Sequence, residues 1–316
     1  MRVELSPHAC AGPEAFYPLH RLLHAFAEER HEWAADEAAI AALTAYFEEY
    51  AASLAPAART LGQKAIVDAV WSSGPASDPV RVTEADLSHL AEDLCRAAVL
   101  IVEDLQNDGA FVRAVATVFG KQRVLTALRN EWLVLRHGGG TGRFPALVEA
   151  ERSRFRSLTR VAVIADSDRY LPGANTPIHA KADEFRAVGV AVHVLALREA
   201  ENYLPYRVLA SCGDPSVTSA TLTALKQLTP DQRDHFDIKH GFGPRNKPPR
   251  IRTEQHALFR DLDPQIRNKL RGGFGEDLLP RLEEHSKTLN IADFGALGAH
   301  VEVDLRALLS TIESVI

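Results

Sequence analysis

Acidic residues crowd three places where a short apolar run ends. Residues 97–102 lead into Glu103-Asp104, with Asp108 about one helical turn further on. Residues 161–165 lead into Asp166-Ser167-Asp168, and residues 190–197 are followed by Glu199 and Glu201. Carboxylates gathered in one place repel each other and are costly to desolvate. A divalent cation relieves both costs, and an all-oxygen donor set suits Mg2+ or Mn2+ rather than zinc. In Asp166-x-Asp168, two side chains leaving a strand end in the same direction can share or bridge such an ion. The competing reading is that each acid only caps the helix that follows. Three strand ends carrying acid favour the cation. Glu199 and Glu201 are two residues apart, which on a helix points them away from each other, so one ligand is expected from that pair.

The elements that must position these acids are legible in the apolar spacing. Residues 97–102, 132–135, 161–165 and 190–197 read as strands buried on both faces. Between them, 109–119, 144–155 and 178–188 carry helical spacing, with Gly189 as a C-cap. Strand alternating with helix predicts an α/β fold with a parallel sheet and right-handed crossovers. Ligands then bind beyond the carboxyl ends of the strands, where the acids fall. The second strand contributes a glycine loop there, Gly138-Gly139-Gly140-Thr141-Gly142. Before residue 97 the spacing of Leu19, Leu22, Leu23, Phe26, Ile40, Leu43 and Phe47 predicts helices. Turn chemistry breaks this stretch at 72–79, and Thr83 is expected to N-cap a new helix with Asp86 at the capping-box position. Three regions result: a helical one over 1–95, an α/β one over 96–210, and a mainly helical one over 211–316.

The net charge of −6 conceals an uneven distribution. Residues 1–100 hold 7 basic and 15 acidic side chains, whereas 113–160 hold 10 basic and 3 acidic, and 239–271 hold 9 basic and 3 acidic. Local basic stripes are what bind a phosphate backbone, and Arg143, Arg245, Lys247, Arg250 and Arg252 are the candidate contacts. The competing reading is a solvated helix face. The three cysteines, Cys10, Cys95 and Cys212, form no CxxC pair, so neither a disulfide framework nor a zinc ribbon organises the chain. No apolar run approaches the length of a membrane span and the first residues show no secretory pattern, so a cytoplasmic protein is expected.

The strand-end glutamate of VLIVED (Glu103), the DxD of VIADSDR (Asp166, Asp168) and the phrase REAENYLP (Glu199, Glu201, Asn202) together resemble a TOPRIM domain. The type is that of OLD-family nucleases and related stand-alone effectors of bacterial anti-phage systems. The resemblance covers about residues 97–210, and FDIKHGF (236–242) and LRGGFGEDLLPRL (270–282) resemble the downstream part of such effectors. It implies Mg2+- or Mn2+-dependent cleavage of DNA or RNA. Glu103, Asp166 and Asp168 would be catalytic ligands, and Asp108 and Glu201 further ligands. Glu201 is preferred over Glu199 because it sits beside Asn202 in the family-like phrase. Lys239 would bind or neutralise the scissile phosphate. The sequence departs from the family where Asp104 replaces a glycine and the following aspartate stands at plus five, Asp108. No Walker A motif is present, so regulation would fall to a partner ATPase of the ABC type. The acidic N-terminal region would dock on that partner or on a second copy of the chain.

Other readings fit less well. His137-Gly138-Gly139-Gly140 is similar to an esterase oxyanion loop, but no G-x-S-x-G elbow accompanies it. His20 and His24 lack a third ligand at useful spacing. A haloacid-dehalogenase-like phosphatase would use Asp166 as nucleophile but leaves Glu103 without a role. A non-enzymatic partner-binding scaffold leaves the acidic cluster unexplained, since it costs stability without a cation.

Overall fold

The computed structural model describes residues 1–71, 78–139 and 142–316. Two sequence expectations lie partly outside them: residues 72–77 of the turn at 72–79, and Gly140 and Thr141 of the glycine loop. The protein is α/β, built on two parallel sheets.

The N-terminal stretch corrects the helical expectation. It contains β1 (Arg2–Leu5), α1 (Phe16–Ala27), β2 (Glu32–Trp33), α2 (Glu37–Tyr50), α3 (Ala55–Trp71), β3 (Val80–Val82) and α4 (Leu87–Cys95). The three short strands form a parallel sheet in the order β2-β1-β3. At four, two and three residues they are too short to show a period of two, while the helices between them dominate the pattern. Val3, Leu5 and Val82 anchor this sheet in a core shared with Leu19, Leu22, Leu43 and Phe47. At α4 the expected Asp86 contact forms, its carboxylate accepting the Thr83 N–H at 2.7 Å, but it closes a turn and the helix itself begins at Leu87.

The larger sheet follows the expected alternation: β4 (Ala98–Val102), α5 (Asn107–Val118), α6 (Gln122–Arg129), β5 (Leu133–His137), α7 (Phe144–Arg152), β6 (Val161–Ala165), α8 (Pro177–Ala187) and β7 (Ala191–Val194). All four strands are parallel, in the order β5-β4-β6-β7. Every residue of β4 and β6 is buried, as a continuous apolar run requires. Ala98, Leu100 and Val102 face α5, α6 and the C-terminal helices, whereas Val99 and Ile101 face α7 and α8. The chain continues through α9 (Tyr206–Leu209), α10 (Pro215–Leu225), α11 (Pro230–Asp234), α12 (His256–Phe259), α13 (Pro264–Lys269), α14 (Leu278–His285), α15 (Ile291–Gly295) and α16 (Ala299–Glu313). Leu279, Leu282, Leu305 and Leu309 from these helices join the core on the first face of the sheet.

One buried joint ties the two sheets together. Asp93 of α4 is fully buried and accepts the backbone N–H groups of Arg156, Ser157 and Leu158 at 2.7–3.1 Å. Arg160, at the mouth of β6, is also fully buried. Its Nη1 donates to the carbonyls of Asp93, Leu94 and Arg96, and its Nε to that of Val315. One guanidinium thus satisfies carbonyls from the end of α4, the approach to β4 and the stretch after α16. Among the described residues no helix is long and apolar enough to cross a membrane.

Candidate active site

Strand order brings the acids together. Glu103 follows β4, Asp166 follows the adjacent β6, and the chain leaving β7, next again, carries Glu199. The Asp166-Ser167-Asp168 turn is pinned to the chain leaving β7. Ser167 Oγ donates to the Leu197 carbonyl at 2.7 Å, the Asp168 N–H to the Arg198 carbonyl at 3.0 Å, and the Ala200 N–H to Asp166 Oδ1 at 3.0 Å. Asp168 is exposed and held at φ +52, a left-handed conformation that aspartate tolerates better than most residues.

At the β4 corner Asp104 and Asp108 both have backbone partners. Asp104 Oδ1 accepts the Asn107 N–H at 2.6 Å, at the start of α5. Asp108 Oδ2 accepts the N–H groups of Glu103 and Asp104 at 2.8 and 2.9 Å. Asp108 therefore braces the turn that carries Glu103, and only its other oxygen is open to a ligand.

The acids sense one another electrostatically. Burial, and then the charges of Asp168, Asp108 and Glu199, push Glu103 up to about 7, with Lys239 opposing. Burial raises Asp108 to about 6 against its two backbone hydrogen bonds. Asp166 lies well above the carboxylate range through burial and the neighbouring Glu201, Asp108, Glu199 and Glu103. Burial raises Glu199, and partial desolvation raises Asp168 although the residue reaches solvent, with Arg198 opposing in each case. Glu103 Oε1 and Glu199 Oε2 are buried without a hydrogen-bond partner among the described residues.

Asp166 thus lies within electrostatic reach of Glu103, Asp108, Glu199 and Glu201, and Glu103 within reach of Asp168. Glu199 precedes the single 3-10 turn Ala200–Tyr203 in extended conformation, so the helical argument that turned it away from Glu201 does not apply to it. Asn202 is structural: buried, its amide donates to the carbonyls of Arg233 and Phe236. Lys239 reaches the cluster from the C-terminal region and pairs with Glu201 at 3.0 Å. Burial works against its charge, but Glu201, Glu199 and Asp166 outweigh that and hold its pKa above the ordinary lysine value.

Three further residues were not anticipated. Arg198 is buried, pairs with Glu199 at 2.7 Å and lies 3.6 Å from Asp237. Among the described residues its Nε and Nη1 have no hydrogen-bond partner. Tyr170 has Arg198 and Arg252 over its ring, at 5.2 and 5.6 Å from the centroid. The signal for Arg198 stood within REAENYLP, while Tyr170 and Asp237 meet it only through the fold.

Lys239 is mounted on a close backbone contact. The segment after α11 crosses the one after α13 by an antiparallel bridge, Gly241 to Arg271. The Phe274 N–H donates to the Ile238 carbonyl at 2.9 Å and the Gly275 N–H to that of Lys239 at 3.1 Å. Gly273 has φ +49, and a Cβ there would stand 2.3 Å from the Lys239 carbonyl oxygen. Gly273→Ala is therefore expected to cost about 2 kcal/mol or more and to displace the segment that carries Lys239. A urea unfolding midpoint equal to wild type would contradict this.

Of the expected backbone-binding residues, Arg143, Arg245, Lys247, Arg250 and Arg252 are all exposed. Arg252 lies 3.8 Å from Asp237 and against Tyr170, beside the cluster. Arg245 donates to the Gly273 carbonyl at 2.8 Å and so also secures the Lys239 mount. Arg143 immediately precedes α7, beyond the carboxyl end of β5. Much of the first basic stretch is internally paired: Arg113 with Glu283, Lys121 with Glu313, Arg136 and Arg154 with Glu151, and Arg152 with Glu149.

The donors are of the type a hard divalent cation takes, and two of them are orphaned. Among the described residues, however, no three His, Cys, Asp or Glu side chains are already gathered as a preformed metal site. Without a cation the cluster has a definite pH signature. A carboxyl near 7 when folded and near 4.5 when unfolded binds more protons in the folded chain between those values. The stability this contributes is complete below about 4.5 and is lost as pH rises to about 7. In EDTA the melting midpoint is therefore expected to fall between pH 5 and 7.5, and Mg2+ or Mn2+ to raise it more at pH 7.5 than at pH 5. A flat profile, unmoved by either metal, would count against a shared acidic site.

No family model matches the chain, and no curated protein or solved structure matches it.

Proposed function

We propose that the protein is a metal-dependent nuclease of the TOPRIM type, cleaving phosphodiester bonds in DNA or RNA. The observation that carries this reading is that the segments leaving adjacent strands bring Glu103, Asp108, Glu199 and Glu201 within electrostatic reach of Asp166, and Asp168 within reach of Glu103, with Lys239 ion-paired to Glu201. Glu103, Asp166 and Asp168, with the free oxygen of Asp108 and with Glu201, would hold Mg2+ or Mn2+. When bound, the ion supplies an activated water and charge neutralisation at the leaving oxygen. Lys239 offers its ammonium to a non-bridging phosphate oxygen, and its pairing with Glu201 keeps it oriented until substrate enters. Arg252 lies where the substrate backbone would pass the cluster, with Lys247 and Arg250 nearby in sequence.

On the same reading the nuclease belongs to an anti-phage system and works in the cytoplasm under a partner ATPase. The acidic N-terminal region would serve as the docking or dimerising surface. The haloacid-dehalogenase alternative would make Asp166 the nucleophile and leaves Glu103, whose Oε1 is buried without a hydrogen-bond partner among the described residues, without a role.

The experiment is a cleavage assay on plasmid, single-stranded DNA and tRNA with Mg2+, Mn2+ or EDTA. Metal-dependent products absent from Glu103→Gln protein support the proposal. Activity confined to phosphomonoesters, or cleavage that persists in Glu103→Gln, rejects it.

A further inference from the structure

We propose that the free edge of β5 binds an extended acidic segment of a partner protein as an added strand. β5 is the outer strand of the larger sheet and, among the described residues, pairs only with β4. The Ala98 N–H donates to the Trp132 carbonyl and the Gly138 N–H to that of Val102. Alternation along a strand then turns the N–H and C=O groups of Leu133, Leu135 and His137 away from β4; Leu133 is buried, so the accessible part of the edge is at Leu135 and His137. A groove of about 760 Å³ runs along this side. Leu133, Val134, Leu135 and Arg136 all line it, although successive residues face opposite sides of the sheet. The groove therefore follows the edge of the strand itself. Its floor continues onto Leu125 and Leu128 of α6.

Such an edge offers main-chain hydrogen bonds to an incoming strand, and the apolar floor takes alternate side chains. The rim selects by charge. Arg129 and Lys287 line it, are exposed, and form no ion pair among the described residues. Arg136 shares the single carboxylate of Glu151 with Arg154. Glu131 is the one acid in the lining. A second copy of the chain would bring this same cationic rim against itself, so charge favours an acidic strand from elsewhere. Five residues of β5 match about 17 Å of extended chain.

The probe is a fluorescein-labelled nonapeptide of alternating Glu and Val, titrated into the full chain and followed by anisotropy. Two comparison peptides are used: one with Lys in place of Glu, and one N-methylated at alternate residues to remove its edge hydrogen bonds. The Glu/Val peptide is expected to bind at one per chain, with both comparisons at least tenfold weaker. R129E/K287E protein, its melting midpoint unchanged, is expected to bind at least tenfold more weakly, and amide exchange over 133–137 to slow on binding. Failure of the Glu/Val peptide to bind, equal binding of the Lys/Val peptide, or indifference to R129E/K287E overturns the proposal. So does displacement of the peptide by a single-stranded oligonucleotide with the same charge sensitivity, which assigns the groove to nucleic acid. Concentration-dependent dimerisation that protects 133–137 likewise overturns it, in favour of a second copy.

Discussion

Asp166→Asn is expected to lower metal-dependent cleavage about a thousandfold or more while leaving the protein folded, and in EDTA more stable at neutral pH. The first effect follows if the ion contributes several kcal/mol at the reacting phosphate, at about 1.4 kcal/mol per tenfold in rate. The second follows from the surroundings of Asp166, which burial and four neighbouring carboxyls push towards protonation. An amide carries no charge there, and its oxygen can still accept the Ala200 N–H that Asp166 Oδ1 accepts now. The opposite signs make the variant informative. Lost activity together with lost stability would mark Asp166 as a structural residue, and retained activity would remove it from the site. Single-turnover cleavage and EDTA melting curves, measured on one preparation, distinguish these outcomes.

Asp93→Ala is expected to destabilise the protein by about 3 kcal/mol or more. The carboxylate is fully buried and accepts three backbone N–H groups from the turn before β6. Removing it leaves those donors without partners away from water, at about 1–3 kcal/mol each. Asp93→Asn keeps one acceptor oxygen and should fall between alanine and wild type. Urea unfolding, with amide exchange at Arg156, Ser157 and Leu158, measures both. Unchanged exchange in the alanine variant would show that the turn holds itself.

The parts of the fold that were legible in the sequence are those with a continuous apolar signal. The run 161–165 is β6 from end to end, and 97–102 differs from β4 by one residue, because burial on both faces leaves no polar position to blur the limits. β1, β2 and β3 were hidden because each pairs over only two to four residues and owes its existence to tertiary neighbours. In the site, the acids were visible because each stands next to its strand. Glu199 was set aside by a helical periodicity that begins one residue after it. Charge counting over 113–160 could not see that Arg113 and Lys121 have carboxylate partners on α14 and α16. Those pairs join residues 170 and 192 positions apart, beyond any local pattern.

The Lys239 mount bears on how self-sufficient the acidic sheet is. The carboxyl groups sit at the strand ends or just beyond, but their cation arrives on a segment fixed by Gly241, Arg271 and Gly273. A fragment of residues 96–210 would keep all six acids and Arg198 but lose the opposing charge of Lys239. It would also expose the apolar face now covered by Leu279, Leu282, Leu305 and Leu309. Charge balance here belongs to the longer chain. Transplanting the chemistry to another scaffold would require carrying the crossing at 238–243 and 270–275 along with the sheet.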